Sequence, residues 1–319
     1  MTTSSERQAR VLKALAQCVV WHPDFARAYA LAQKSMEATK NRQAATSIML
    51  LGDPGVGKST LCERIEHEVG VGVATELETE QSHILIMPCV LIELPPSASI
   101  KAVAVELLLK LGLEDRERLL RFSSATLTGM IIQRLIVTQT QLVILDEFHR
   151  LVDHKTPEPK KKVCRWINHL LNQTTIPIML AGLPDIEELI DSIPELSDRY
   201  PYRKRLRYFD FADKAATALF QKVIAAIEHK VIEPADFTER VSLTQETTFK
   251  TICLATAGNF RHLNMLLNDS LTLALAREDN KFTLEDLARA AADLHFCRAS
   301  NPFCMSASEV IAALKKQYE

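Results

Sequence analysis

The sequence predicts an α/β chain: a five-stranded, mostly parallel sheet sandwiched between helices, followed by a helical unit. Three observations carry this. Short apolar runs at residues 47–51, 84–94, 141–145 and 176–180 alternate with stretches of helical composition, and strands that alternate with helices pair in parallel with both faces covered. The first run leads directly into a glycine loop and then a helix over 58–69. After residue 211 the strand pattern stops and helical periodicity takes over.

In chain order, residues 5–20 and 24–44 read as two helices rich in Ala, Gln, Lys and Leu, split at His22-Pro23. The run 84–94 stops at Pro95-Pro96 and reads as one buried strand. Helices over 99–111 and 125–138 precede the strand 141–145, which ends on Asp146-Glu147. A helix over 160–172, the strand 176–180, a short helix over 185–192 and a last strand over 205–211 complete the sheet. Helical stretches at 212–229, 245–257, 260–277 and 283–296 follow, then a tail with one helix from 307. The expected organisation is an N-terminal helical extension (1–45), an α/β core around the glycine loop (46–211), a helical second unit (212–296) and a C-terminal tail (297–319).

Composition narrows the class. The chain has 319 residues, 47% hydrophobic and 24% charged, with a net charge of −2, so a globular core is affordable and no overall basic charge advertises nucleic acid. One face can still be basic. The seven cysteines are odd in number and none has CxxC spacing, which argues against a disulfide framework or a zinc site and suits a reducing cytoplasm. The N-terminus lacks a signal-peptide pattern and no apolar run approaches the length of a membrane span. The expectation is a cytoplasmic protein without a membrane partner.

Residues 52–59, Gly-Asp-Pro-Gly-Val-Gly-Lys-Ser, satisfy the pattern G-x-x-x-x-G-K-S/T in full. Glycines let successive backbone N–H groups turn inward around phosphate oxygens, and the helix N-terminus adds partial positive charge. Lys58 can reach the β- and γ-phosphates, and the Ser59 hydroxyl is an oxygen ligand for Mg²⁺. Gly52, Asp53, Pro54, Gly55, Val56, Gly57, Lys58, Ser59 and Thr60 are the expected ATP-binding residues. Asp146, carried by a buried strand to the sheet's ligand-binding edge, is the second metal-side group. Glu147 is the expected base for an attacking water.

With these motifs on the page, the chain resembles AAA+ ATPases: a P-loop αβα sandwich with a helical lid. The nearer resemblance is to the transposition regulators TnsC, TniB and MuB. It spans residues 20–295 and rests on His22-Pro23 at the adenine side, Asp146-Glu-Phe-His-Arg-Leu151 as the extended Walker B segment, Leu180-Ala-Gly-Leu-Pro184 where sensor 1 would lie, and Gly258-Asn-Phe-Arg261 at sensor 2. The chain departs from the family at sensor 1, where Ala181, Gly182, Leu183 and Pro184 offer no polar side chain; slow, regulatory hydrolysis is the implication.

The resemblance also assigns arginines and a DNA path. Arg199, just before the last strand, would be the finger that reaches a neighbour's γ-phosphate, with Arg203 as the fallback, and Arg261 would act from the lid. Residues between the second strand and Walker B, Lys101, Arg116, Arg118, Arg121, Ser123, Ser124 and Thr126, would hold double-stranded DNA through its phosphates. A second basic cluster, Lys155, Lys160, Lys161, Lys162 and Arg165, reads equally as a solvated helix face. His149 reads as a packing or supporting residue, and His295 with Cys297 lacks further metal ligands nearby in sequence. The implied function is an ATP-dependent homo-oligomer, ring or filament, that assembles on target DNA and connects a TniQ- or TnsD-like target-selection protein to a transposase. Two alternatives stay open. One is an initiator- or loader-like AAA+ protein, against which the short C-terminal segment leaves little room for a winged helix. The other is a signalling or secretion-linked ATPase that does not touch DNA.

Overall fold

The computed structural model describes residues 4–70, 76–79, 82–96, 99–152, 157–297 and 300–318. The chain folds as two units, Pro23–Leu206 and Met1–His22 with Arg207–Glu319. These boundaries differ from the expected ones. The segment 1–45 is divided: the helix α1 (Ser4–Ala16) joins the C-terminal helices, while α2 (Pro23–Arg42) joins the core. The tail is part of the helical unit, where α15 (Ala307–Tyr318) packs on α12 (Glu246–Thr256).

The core unit contains five parallel strands in the order β4-β5-β6-β1-β7: β1 Ile48–Gly52, β4 Cys89–Glu93, β5 Leu142–Asp146, β6 Ile178–Gly182 and β7 Tyr202–Leu206. Every residue of β1, β5 and β6 is buried, as expected for strands covered on both faces. Side chains alternate between those faces. Met49, Leu51, Val90, Ile92, Val143 and Leu145 share one core, to which α4 (Ile100–Lys110), α6 (Ser124–Val137) and α8 (Pro157–Thr174) contribute. The helices α2 and α3 (Lys58–Gly70) pack against β1.

Four elements depart from expectation. The run 84–94 is two strands: β3 (Ser82–Leu85) pairs antiparallel with β2 (Glu76–Thr79), and the chain breaks at Met87-Pro88 before β4. The Pro88 carbonyl there accepts from Gln141 and Leu142, at 2.7 and 3.1 Å. The last strand starts at Tyr202 rather than 205, pairing Ile48 with Tyr202 and Gly52 with Leu206. A short helix α5 (Arg116–Arg121) fills the stretch between α4 and α6. Finally, the helical unit is not free of strands: Glu239–Arg240 pairs in parallel with Lys281–Phe282.

The helical unit has its own core. Phe220, Ile224, Ile252, Leu263, Leu267 and Leu287 are fully buried there, with Val11 and Leu15 of α1. The helix α13 (Phe260–Ala276) is capped by Asn259, whose side chain accepts from the Arg261 and His262 amides. Gly258 before it has φ +68, and a Cβ would lie 2.0 Å from the Phe209 carbonyl oxygen, so only glycine permits that approach. Among the described residues no helix is long and apolar enough to cross a membrane.

Candidate nucleotide site

β1 delivers the chain to residues 52–57, and α3 begins at Lys58. Gly55 and Gly57 have φ of +84 and +90, the left-handed region open to glycine at little cost. At Gly57 a Cβ would also meet the Phe25 ring at 2.8 Å. The buried Lys58 ammonium donates to the carbonyls of Gly52 and Asp53, at 2.7 and 3.0 Å. Burial pushes its pKa down, opposed by Glu147, Asp146 and Asp53. A desolvated cation inside a glycine loop is ready to exchange carbonyl oxygens for phosphate oxygens.

At the same edge of the sheet, register pairs Glu93 with Asp146 and Leu51 with Gly182. Asp146 is only 3% exposed. It accepts the Ser59 hydroxyl and, at 2.8 Å, the Glu147 amide. Burial raises its pKa, with the Ser59 hydrogen bond opposing. A hydroxyl and a buried carboxylate side by side are the hard oxygen donors Mg²⁺ takes, and the cation would relieve the desolvated charge. Ser59 and Asp146 therefore fit the metal that a nucleoside triphosphate brings.

Glu147 sits at φ +56, an uncommon conformation for a residue with a side chain. The turn is held by the Phe148 amide, which donates to Ala181 of β6 at 2.8 Å. His149 opens the short helix α7 (His149–Val152), and its Nδ1 lies 3.2 Å from Glu147 Oε2. Arg150 joins Glu93 at 2.9 Å and also donates to the Leu94 carbonyl. The sequence reading passed over both contacts; the only linear signal was a His two residues beyond the expected base. At the end of β6, Ala181 and Gly182 are buried.

The arginines lie as follows. Arg199 precedes β7, at the β1 start rather than the P-loop end: its carbonyl accepts from Ser47, and its guanidinium donates to Asn172 at 2.9 Å and to Ala45 O at 3.5 Å. Arg203 falls inside β7 and is tied to Asp191, Glu187 and Ser197; the salt bridge holds the Asp191 carboxyl down at about 2. Arg261 is exposed in the first turn of α13 in the helical unit. His22 is buried in that same unit, edge-on to Phe209 at 5.8 Å, whereas Pro23 begins α2 of the core.

The residues expected on DNA are at the surface of the core unit. The helices α4 and α6 pack together, and Arg134 near the end of α6 donates to the carbonyl of Leu111, the C-cap of α4. The helices thus run the same way, which puts Lys101 at the same end as Arg121, Ser123, Ser124 and Thr126. All four of these are exposed and Lys101 is half-buried. Two are not free contacts: Ser123 is the N-cap of α6, accepting from the Thr126 amide at 3.1 Å, and the two hydroxyls lie 2.9 Å apart. Arg116 is paired with Glu106. Of the second basic cluster, Lys155 lies outside the described residues, while Lys161, Lys162 and Arg165 are exposed on α8.

Residues 41–190 match the profile of the AAA domain family. Three solved archaeal structures share the fold. The Aeropyrum pernix ORC1 protein, solved in complex with DNA, is 16% identical with a TM-score of 0.60, over 88% of this chain and 69% of that one. The ORC2 protein of the same organism, solved as ADPNP–ADP complexes, is 12% identical with a TM-score of 0.63, over 96% and 82%. Cdc6p from Pyrobaculum aerophilum is 13% identical with a TM-score of 0.61, over 87% and 69%. No curated protein matches the sequence. The parallel order β4-β5-β6-β1-β7, the loop at the end of β1 and the acidic pair at the end of β5 agree with these matches: the chain has the AAA+ P-loop fold, and residues 41–190 are similar to AAA domains.

Proposed function

We propose that this protein is an ATP-hydrolysing switch that assembles on double-stranded DNA. The observation that carries the hydrolytic part is the Ser59–Asp146–Glu147 arrangement beside the Lys58 loop; assembly on DNA is drawn from the resemblance. The backbone N–H groups of the loop bind the triphosphate and Lys58 holds its β- and γ-oxygens. Mg²⁺, when bound, neutralises phosphate charge. Ser59 and Asp146 would hold that cation. Glu147 takes a proton from water while the water oxygen bonds to the γ-phosphorus; the bond to the bridging oxygen breaks and ADP leaves with that electron pair. Arg199 is the proposed trans-acting finger, and Arg261 the proposed nucleotide-sensing arginine of the helical unit.

Lys101, Arg121, Ser124 and Thr126 form the proposed phosphate-contacting end of the core. In the finer reading, drawn from the resemblance to TnsC, TniB and MuB, the homo-oligomer links a target-selection protein to a transposase. An initiator- or loader-like role is the second reading, favoured by the fold shared with ORC1, ORC2 and Cdc6p. Electron microscopy with ATP and duplex DNA tests the common part: rings or filaments on DNA that need ATP support it, and ATP-independent monomers refute it. Joining the purified protein to a transposase or to a replicative helicase then separates the two readings.

A further inference from the structure

The end of β6 is lined by the turn after β5. A Cβ built on Gly182 would lie 2.4 Å from Ile186 Cδ1 and 3.4 Å from the amide nitrogens of both Phe148 and His149. The Phe148 amide holds the Ala181 carbonyl at 2.8 Å. The turn after β5 runs against the end of β6, whose residues Ala181 to Pro184 have no polar side chain. The same turn places Glu147 in the left-handed region and begins α7 two residues later.

The polar atom that this turn brings to Glu147 is His149 Nδ1. It is buried, makes no aligned hydrogen bond, and lies 3.2 Å from Glu147 Oε2. Both side chains are about one-quarter exposed, at 25% and 23%. Lys58 and Asp146 also feel the charge of Glu147, and both are committed to the nucleotide side. A carboxylate that must aim at one water needs its second oxygen held, because free rotation about its last bonds scatters the base over many poses.

We infer that His149 is a positioning residue: its Nδ1 holds the Glu147 carboxylate in the orientation that takes the water's proton, a task for which β6 has no side chain. The inference rests on the hydrolytic reading above. It predicts an effect on the chemical step and none on nucleotide binding, since His149 faces the base rather than the phosphate loop.

The test is steady-state ATP hydrolysis with a parallel measurement of ATP affinity. His149→Phe keeps a flat ring and deletes the nitrogen. Its kcat should fall about 30-fold, less than the roughly 10²–10⁴-fold that a general acid or base itself contributes, because Glu147 remains and only its aim is lost; ATP affinity should stay within about twofold of wild type. His149→Asn places an amide near the position of Nδ1 and should recover kcat to within about fivefold of wild type. In a Glu147→Gln background neither change should matter, because the route through Glu147 is already closed. Equal kcat for His149→Phe and wild type overturns the inference, and so do equally slow Phe and Asn variants, which would mean packing. If the Phe variant does not fold, His149→Gln replaces it: its amide falls near Nε2, so Gln must be slow where Asn is fast. A wild-type protein that binds ATP but never hydrolyses it refutes the hydrolytic reading and this inference together. An active wild type matched by His149→Phe refutes this inference alone.

Discussion

Lys58→Met isolates the phosphate contact from the fold. Methionine keeps the stem's volume and loses only the ammonium, which in the nucleotide-free protein donates to Gly52 and Asp53 carbonyls at 2.7 and 3.0 Å. Those two bonds stand in for the phosphate bonds that replace them. Each charge-assisted bond contributes about 1.5–3 kcal/mol, so losing two from the bound state weakens ATP by at least about 3 kcal/mol, or roughly 100-fold. The effect on folding is far smaller. The lowered pKa of Lys58 shows that burial opposes its charge, so the substitution removes a desolvation cost along with the two bonds. The melting temperature without nucleotide should move by less than about 3 °C. Titration calorimetry with ATP and magnesium reads the first quantity and scanning fluorimetry the second. An ATP affinity within twofold of wild type would refute the phosphate-site assignment, and a collapse of the nucleotide-free melting temperature would refute the separation of binding from folding.

Asp146→Asn should raise the melting temperature of the nucleotide-free protein in EDTA at pH 7. The folded pKa of Asp146 lies above its ordinary value through burial, so the ionised form is disfavoured by folding. Its contribution is lost as pH rises through the window between the two values, and the gain from Asn should fade towards pH 4; an unchanged or lower melting temperature at pH 7 contradicts this. Arg199→Ala should leave ATP binding intact and abolish ATP-dependent oligomers in analytical ultracentrifugation, whereas Arg203→Ala, which breaks a network internal to the core, should still assemble; the reverse pattern would move the finger to Arg203. The Arg203–Asp191 pair holds the Asp191 pKa at about 2, so the small stability loss in Arg203→Ala is present at neutral pH and disappears as pH falls through about 2; discounted for exposure, it should stay near or below about 1 kcal/mol by chemical denaturation. Lys101→Ala and Arg121→Ala should each flatten the slope of log DNA affinity against log salt by about one, equally on unrelated sequences. Ser123→Ala makes a poor probe because removing the N-cap of α6 costs about 1 kcal/mol of stability by itself; unchanged slopes in the Lys101 and Arg121 variants would move the DNA path to the exposed face of α8.

The phosphate loop was legible because its demand is local. Gly55 and Gly57 take positive φ where they stand, and no distant residue has to be known for the spacing to be read. The buried strands β1, β5 and β6 were legible for the same reason, since an unbroken apolar run between turn signals needs both faces covered. Where a segment's end depends on partners, the linear reading slipped. The run 84–94 continues as apolar sequence across Met87-Pro88, but the Pro88 carbonyl is drawn to Gln141 and Leu142 and the strand divides. β7 starts at Tyr202 because it pairs with Ile48, and nothing within 199–211 states that register. Helix α1 reads as an extension of α2's neighbourhood in sequence, yet its Val11 and Leu15 are buried with Leu263 and Leu267, some 250 residues away.

The candidate site divides along the same line. By itself the sequence nominates the residues for phosphate, metal and proton transfer: Lys58, Ser59, Asp146 and Glu147 follow from motif spacing, because their side chains are presented by one loop and one strand end. Only the tertiary structure decided that Ser59 and Asp146 share a hydrogen bond, that Arg203 is internally bound, that Ser123 caps a helix, and that His149 faces Glu147. Each of those depends on a turn's handedness or on two segments meeting in space, and the free energy that selects them comes from packing across the sheet, which a single stretch of chain does not contain.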